Sequence, residues 1–255
     1  MNATKFLQQG NSAFSRGDYA KALLCYQKAL DLVRGDSDLW ADLYGNIGNV
    51  YGATGQIDQA VVYYKKAVEI LRQKEDYARL GITFTNIGNL YADRGDAAQA
   101  IHFYKQGVVL LEQEGKWNEL STLYGNLSLL CLQREDNSGA LDYAEKGAAL
   151  AQRLKDPARL ADALHRLAKA KAAMGGLQIA QRLSEEAYSL YAQLKDEMGC
   201  AAALYHQAAL YEEQGKIEEA ALCLKQVVAI DEKYSLPKLA ENKARLERLR
   251  EKLKG

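Results

Sequence analysis

A ladder of alanines repeats along this chain at an almost fixed spacing. The intervals between them are 38 residues once and then 40 residues four times, at Ala22, Ala60, Ala100, Ala140, Ala180 and Ala220. A small residue comes twelve positions before each alanine, at Gly10, Gly48, Gly88, Ser128, Ala168 and Ala208. Periods of about 20 to 50 residues are typical of stacked repeat architectures. The repeat therefore overrides the expectation of about two globular domains that the length alone would give.

Each repeat predicts a pair of helices joined by a tight turn. In the second repeat, apolar residues recur at helical spacing from Tyr44 to Tyr51, and Gly55 then interrupts the pattern. A second amphipathic run follows, and Asp58 is the residue expected to cap its start. No segment alternates polar and apolar residues over the length of a strand, so no sheet is expected. One helix pair cannot bury its apolar face alone, whereas a stack of pairs buries it continuously.

The repeat unit resembles the tetratricopeptide repeat (TPR), whose pattern is W-x2-L-G-x2-Y, then A-x3-F, then A and P. Two repeats match this pattern position by position: Tyr44-x2-Ile47-Gly48-x2-Tyr51 with Ala60-x3-Tyr64 and Ala67, and Phe84-x2-Ile87-Gly88-x2-Tyr91 with Ala100-x3-Tyr104 and Gly107. Helices about one turn longer than usual account for the longer period, and Arg72 or Glu112 replaces the closing proline. The long period and the recurring Asn-Ile/Leu-Gly-Asn are similar to Leu-Gly-Asn-repeat adaptors and, more loosely, to kinesin light chains.

This resemblance implies an all-α fold, a right-handed superhelical solenoid of antiparallel helix pairs whose first helices line a concave face. Six TPR hairpins are expected within residues 1–236, over about 1–35, 36–75, 76–115, 116–155, 156–195 and 196–236. Residues 237–255 are expected to form a C-terminal capping helix, because Pro237 suits a first helical turn and the outer face of the run is polar.

The composition excludes several classes of protein. Lys and Arg together number 33, as do Asp and Glu, so a basic surface for nucleic acid over the whole molecule is not expected. No apolar run approaches the roughly 18 residues of a membrane span, and the N-terminus lacks the apolar stretch of a secretion signal. The four cysteines are widely spaced, without a CxxC pair, which argues against a disulfide framework. We therefore expect a cytoplasmic protein that binds neither nucleic acid nor a membrane.

The sequence contains no recognisable catalytic or cofactor-binding motif. GxxxxGK[ST], HExxH and GxSxG are absent, and the glycines from Gly45 to Gly55 lie in a helical pattern rather than after a strand. Three histidines without zinc-ligand spacing do not form a metal site. We therefore predict no enzyme activity, no catalytic residue, no metal and no cofactor.

Two rows of asparagines recur on the first helices of the early repeats. One row lies two residues before the small residue and the other one residue after it: Asn46, Asn86 and Asn126, and Asn11, Asn49 and Asn89. Asparagine is not favoured inside helices, so its recurrence there needs a reason. A carboxamide offers a donor and an acceptor that can pair with a peptide backbone whatever its side chains are, and the TPR resemblance implies this use. The alternative is that the amides bridge neighbouring helices.

In the fifth and sixth repeats, the first helices are expected to place basic and aromatic residues, rather than asparagines, on the concave face. His165, Arg166 and Lys169 suit a ligand segment that carries carboxylates, and His206 occupies a register adjacent to that of His165. Tyr205 is expected to add specificity. Small pockets are expected at Gly45, Thr85 and Gly125.

The sequence therefore predicts a non-catalytic scaffold or adaptor that binds a peptide segment of a partner protein, one with acidic residues, in the concave groove. Two alternatives stay open. One is self-assembly into a homo-oligomer, in which the terminal helix of one molecule occupies a neighbour's groove or the convex faces stack. The other is a peptide-sensing regulator that changes curvature when it binds a short signalling peptide.

Overall fold

A computed structural model of the protein describes residues 2–35 and 38–254. Every regular element in these two ranges is an α-helix, and no strand occurs in them. The predicted all-α class is therefore confirmed. Three predicted bounds lie outside the described residues: residues 1 and 36, where hairpins were expected to begin, and residue 255, where the capping helix was expected to end.

The chain divides into two compact units, Met1–Glu119 and Leu120–Gly255. Unit 1 contains three antiparallel helix pairs: α1 (Ala3–Ser15) with α2 (Tyr19–Leu32), α3 (Leu39–Ala53) with α4 (Ile57–Gln73), and α5 (Tyr77–Asp93) with α6 (Ala97–Gln113). Within unit 1, the second helix of each pair also packs on the first helix of the next.

Unit 2 takes up most of α7 (Trp117–Gln133) and the remaining helices: α8 (Asn137–Leu154), α9 (Pro157–Ala173), α10 (Leu177–Gln193), α11 (Glu197–Glu213), α12 (Ile217–Tyr234) and α13 (Leu239–Lys252). Here α9 pairs with α10 and α11 with α12, and α13 packs on α12 through Leu246 and Leu249. Among the described residues, no helix combines the length and apolarity that crossing a bilayer requires.

The turn inside each pair places one residue in the left-handed region, with φ between +60° and +82°: Gly17, Gly55, Gly95, Glu135, Gly175 and Gly215. Glycine is favoured there because it has no Cβ to clash. The expectation that Asp58 caps α4 is wrong, because Gln56 is the N-cap and Asp58 lies inside the first turn. The residue equivalent to Gln56 in the next repeat is Asp96, whose carboxylate accepts a hydrogen bond from the Gln99 N–H at 3.1 Å.

The recurring glycines of unit 1 make room for tyrosines of the partner helix. A Cβ on Gly10 would lie 2.4 Å from the ring of Tyr26, and one on Gly88 would lie 2.4 Å from the ring of Tyr104. Gly48 has the same relationship with Tyr64, at 2.9 Å. Glycine is needed at these positions because the methyl group of an alanine would overlap the tyrosine ring. In unit 2 the equivalent positions are also buried: two of the pairs consist of small residues, Ser128 with Ala144 and Ala168 with Ser184, and the third is Ala208 with Leu224.

Candidate functional site

In unit 1, tyrosine hydroxyls of the second helices fix the asparagines that follow the small residues. Each tyrosine comes fifteen residues after its asparagine and donates to the Oδ1 atom: Tyr26 to Asn11 at 2.9 Å, Tyr64 to Asn49, and Tyr104 to Asn89 at 2.7 Å. The same tyrosine that fills the space over a glycine therefore orients the next residue. Sequence reasoning missed this link, although the constant fifteen-residue spacing was a usable signal.

The other row of asparagines connects neighbouring helix pairs. Asn46 Nδ2 donates to Asn11 Oδ1 at 3.2 Å, and Asn86 Nδ2 donates to Asn49 Oδ1 at 3.4 Å. We call Asn11, Asn46, Asn49, Asn86 and Asn89 the amide ladder. These bonds correspond to the bridging alternative that the sequence left open, and they hold the ladder in one arrangement.

Part of each bridging amide stays available. Within the described parts of the chain, no partner contacts the Oδ1 atoms of Asn46 and Asn86 or the Nδ2 atoms of Asn11 and Asn49. Asn11 is exposed and the other three are half-buried. The ladder therefore presents two acceptors and two donors that the protein has already oriented.

A cavity of about 140 Å³ opens beside the ladder. Asn46, Asn49 and Asn86 line it, together with Gly45, where a Cβ would meet nothing within 4 Å. Its wall is held by Arg79, whose guanidinium lies 2.9 Å from Asp42 and 2.6 Å from Asp76. An engineered cavity of about 150 Å³ admits benzene, so the space beside Gly45 accommodates a small side chain.

The other two expected pockets differ from this one. Arg166 packs against Gly125: its Nη1 donates to the Gly125 carbonyl at 3.3 Å, and a Cβ on Gly125 would lie 2.7 Å from its Nε. Gly125 and Arg166 both line a cavity of about 50 Å³, so the expected pocket is present but small. Thr85 is half-buried and donates its hydroxyl to the Gly81 carbonyl at 3.0 Å.

In unit 2, two histidines meet on the first helices. The rings of His165 and His206 lie edge to face with centres 5.7 Å apart, and the Nδ1 atoms of both are buried without a hydrogen-bond partner in the described residues. Burial, followed by the charge of Lys169, lowers the pKa of His165 to about 3 and that of His206 to about 4. Both imidazoles are therefore neutral at pH 7.

Lys169 lies beside these histidines, and its side chain forms no ion pair within the described residues. Its pKa is lowered, first by burial and then by the charges of Arg166 and Lys238. We call Arg166, Lys169 and Lys238 the basic cluster. Because its charges are unneutralised and partly desolvated, an anion that approached them would be stabilised.

The final helix covers part of the face that sequence reasoning assigned to a ligand. The Arg245 guanidinium lies 4.8 Å from the ring centre of Tyr205, and its Nε donates to Glu212 at 2.8 Å. Asn242 Nδ2 donates to the buried Asp231 at 2.7 Å. The interpretation of α13 as a simple cap missed these contacts. The usable signal in the sequence was an asparagine, Asn242, on the same helical face as Leu246 and Leu249.

The structure thus brings the predicted residues together in two groups. In unit 1 it pairs Asn46 with Asn11 and Asn86 with Asn49, while Asn89 accepts from Tyr104. In unit 2 it brings together His165, Arg166, Lys169 and His206. Asn126 is half-buried on α7 in unit 2. Oriented amides and unneutralised cations are groups that can bind a polar or anionic ligand.

Family models identify the repeats. The model of the MalT-like TPR region matches residues 9–196, and a tetratricopeptide repeat model matches residues 202–231. No curated protein matches the sequence.

Three solved structures illustrate the similarity of fold. A Signal Transduction ATPase with Numerous Domains (STAND) protein with a tetratricopeptide repeat sensor, from Pyrococcus horikoshii, has a TM-score of 0.83 and 15% identity over 98% of this chain, which spans 38% of that one. The Rap conjugation gene regulator of plasmid pLS20, in complex with the Phr* peptide, has a TM-score of 0.65 and 20% identity, covering 98% of this chain and 73% of that one. Kinesin light chain-type TPR-like repeats from Podospora anserina have a TM-score of 0.63 and 21% identity, covering 78% and 99%.

Proposed function

The chain belongs to the family of MalT-like TPR regions, and from this premise we propose that it is a non-catalytic scaffold that binds a peptide segment of a partner protein. The observation that carries the proposal is the amide ladder of unit 1. Its amides are fixed by the tyrosines and by one another, yet two acceptors and two donors remain without a protein partner among the described residues.

Backbone recognition explains this arrangement better than helix bridging alone. Bridging uses one polar atom from each asparagine, which leaves the second polar atom of each carboxamide without a role in it. An extended peptide presents N–H and C=O groups along its length, and pre-oriented amides bind them without a further ordering cost. The cavity beside Gly45 then accepts one of the peptide's side chains.

The basic cluster of unit 2 favours acidic residues in the bound segment. Arg166, Lys169 and Lys238 concentrate positive charge where the neighbouring histidines are neutral. Charge complementarity of this kind contributes mainly to specificity and association rate.

A second function, a peptide-sensing regulator, is favoured by one comparison. The Rap regulator of similar fold was solved with its Phr* peptide, and another Rap protein was solved with Competence and Sporulation Factor. The two functions differ in the consequence of binding: a regulator changes conformation with its peptide, whereas a scaffold keeps its shape and holds two partners together.

The proposal is tested with a synthetic library of octapeptides and the Asn46→Ala/Asn86→Ala double variant. Two lost hydrogen bonds at about 1 kcal/mol each predict affinities weaker by roughly 10- to 30-fold for every peptide that binds the wild type. Asn137→Ala removes an amide that bonds the Ala173 carbonyl outside the ladder, and it should leave binding unchanged. Equal affinities for wild type and double variant would contradict the proposal, and a solution mass above that of the monomer would then favour self-assembly.

A further inference from the structure

A second, larger cavity lies within unit 2. Its volume is about 590 Å³, and it is bounded by α9, α11, α12 and the start of α13. Half of the twelve residues that line it have small or apolar side chains: Ala201, Ala202, Ala209, Val227, Leu236 and Pro237. Cavities of roughly 300 to 1,000 Å³ with an apolar wall and a few polar groups are typical of ligand sites.

Two polar side chains in this wall lack a partner that their burial calls for: His206 at Nδ1, as described above, and Asn242 at Oδ1. Asn242 is 2% exposed, and its Nδ2 atom donates to Asp231, which is also buried. Its Oδ1 atom is buried without a hydrogen-bond partner in the described residues. Buried polar groups are nearly always hydrogen-bonded, so a molecule that enters the cavity and donates a hydrogen bond to Asn242 is favoured.

Two cations of the basic cluster also line the cavity. Lys169 comes from α9 and Lys238 from the turn before α13, and neither side chain forms an ion pair or a hydrogen bond within the described residues. The acidic group of the cavity wall, Asp231, is bonded to Asn242. A carboxylate is therefore attracted to the two lysines and repelled from the Asp231 end, which fixes its direction in the cavity.

We propose that this cavity binds the C-terminal residue of a peptide when that residue has an apolar side chain. Such a residue offers three groups that match the wall: a carboxylate for Lys169 and Lys238, a backbone N–H for Asn242 Oδ1, and an apolar side chain for the alanines, Val227, Leu236 and Pro237. The inference rests on the proposed function only in taking the ligand to be a peptide.

The cavity can be tested apart from the amide ladder with single-residue probes. N-acetyl-leucine has all three groups, N-acetyl-leucinamide lacks the carboxylate, and 4-methylpentanoate lacks the N–H. We expect N-acetyl-leucine to bind in saturation-transfer NMR with a Kd in the millimolar range or below. The amide should bind at least 10-fold more weakly, and 4-methylpentanoate severalfold more weakly. Equal binding of the acid and the amide, or no binding of the acid, would overturn the proposal.

Variants of the cavity wall test whether N-acetyl-leucine binds in this cavity. Lys169→Met should weaken N-acetyl-leucine binding at least 10-fold, whereas Lys225→Met, an exposed lysine of α12, should not. Ala202 is exposed and lines the cavity, so Ala202→Phe fills the space while leaving every charge in place, and it should abolish binding. Unchanged binding in Ala202→Phe would place the probe elsewhere and overturn the assignment.

Whether the ligand of the cavity is the C-terminal residue of a peptide is tested with octapeptides that end in leucine, prepared as free acids and as C-terminal amides. A preference for the free acid that disappears in Lys169→Met supports the proposal. Peptides that bind with equal affinity in both forms would overturn it and leave the amide-ladder function standing. If N-acetyl-leucine binds but no leucine-ending octapeptide does, the cavity is a site for small acids and the peptide assignment fails, whereas the proposed function is decided by the library experiment on the amide ladder.

Discussion

The ring of Tyr104 occupies the space that a side chain on Gly88 would need, since a Cβ there would lie 2.4 Å from the ring carbon Cδ1. The hydroxyl at the far end of the same ring donates to Asn89. One tyrosine therefore closes the contact between α5 and α6 and orients an amide of the ladder. Packing and the candidate site depend on the same three residues.

The first prediction concerns Gly88→Ala. Alanine is the better helix former by about 1 kcal/mol, yet the added methyl must displace a buried ring that is held by a hydrogen bond. Overpacking of this kind costs roughly 1–3 kcal/mol, so we expect a net loss of stability in urea denaturation. Gly45→Ala is the matched control, because its Cβ meets nothing within 4 Å, and it should stabilise the protein. A stabilised Gly88→Ala variant would refute the packing argument.

The second prediction concerns Tyr64→Phe, which removes the hydroxyl that orients Asn49. Loss of one buried hydrogen bond should lower the free energy of unfolding by about 0.5–1.5 kcal/mol. Peptide affinity should also fall severalfold, because the freed amide must be ordered again on binding. Tyr63→Phe is the control: Tyr63 stacks on Tyr51 with ring centres 5.4 Å apart, and its hydroxyl has no partner in the described residues. If Tyr64→Phe leaves the peptide affinity unchanged, the orientation of Asn49 does not contribute to peptide binding.

The helices could be predicted from the sequence because their signals are local. Apolar spacing, turn glycines and small residues at a fixed period each act within one repeat. The match between Gly88 and Tyr104 is not local, since it joins two helices, and a pattern of small residues alone does not say which side chain fills the space. The predicted cap of α4 was wrong for a different reason. Asp58 has the side chain of a typical cap, but the helix already begins at Ile57, so Asp58 lies inside its first turn.

The candidate site could be predicted only in part. The asparagine register predicts side chains on one face, and the structure hydrogen-bonds them as two separate pairs, Asn46 with Asn11 and Asn86 with Asn49. The contribution of α13 could not be read from any single repeat, because Asn242 and Arg245 acquire their surroundings from α12 and α11. The pocket predicted at Gly125 is present but only about 50 Å³, because Arg166, forty-one residues later, packs against Gly125, a contact that the sequence does not show.

The third prediction concerns Glu135, which has φ of +60° where five other repeats have glycine. A side chain in the left-handed region costs roughly 1–2 kcal/mol, and part of the gain on removing it is lost to the greater freedom of glycine in the unfolded chain. Glu135→Gly should therefore raise stability by about 0.5–1 kcal/mol. The reciprocal change Gly95→Ala should lower it, and a Glu135→Gly protein no more stable than wild type would contradict the turn argument.

The fourth prediction is a loss of stability on mild acidification, and its source is the histidine pair. The folded-state pKa values of His165 and His206, about 3 and about 4, lie below the unfolded value of about 6.5. Below pH 6.5 the unfolded chain therefore binds protons that the folded chain does not. Stability is complete above pH 6.5 and falls as the pH drops towards 4, by at most about 1.4 kcal/mol per pH unit for each histidine.

Urea denaturation at about pH 7, 6 and 5 measures this dependence above the range where most carboxylates titrate. His165→Leu removes one titrating group from the buried pair and should reduce the slope of stability against pH by about half. His102 is exposed and contacts Gln106 instead, so His102→Gln should keep the wild-type slope. If His165→Leu retains the full slope, the histidine pair is not the source, and other groups that bind protons on unfolding must be sought.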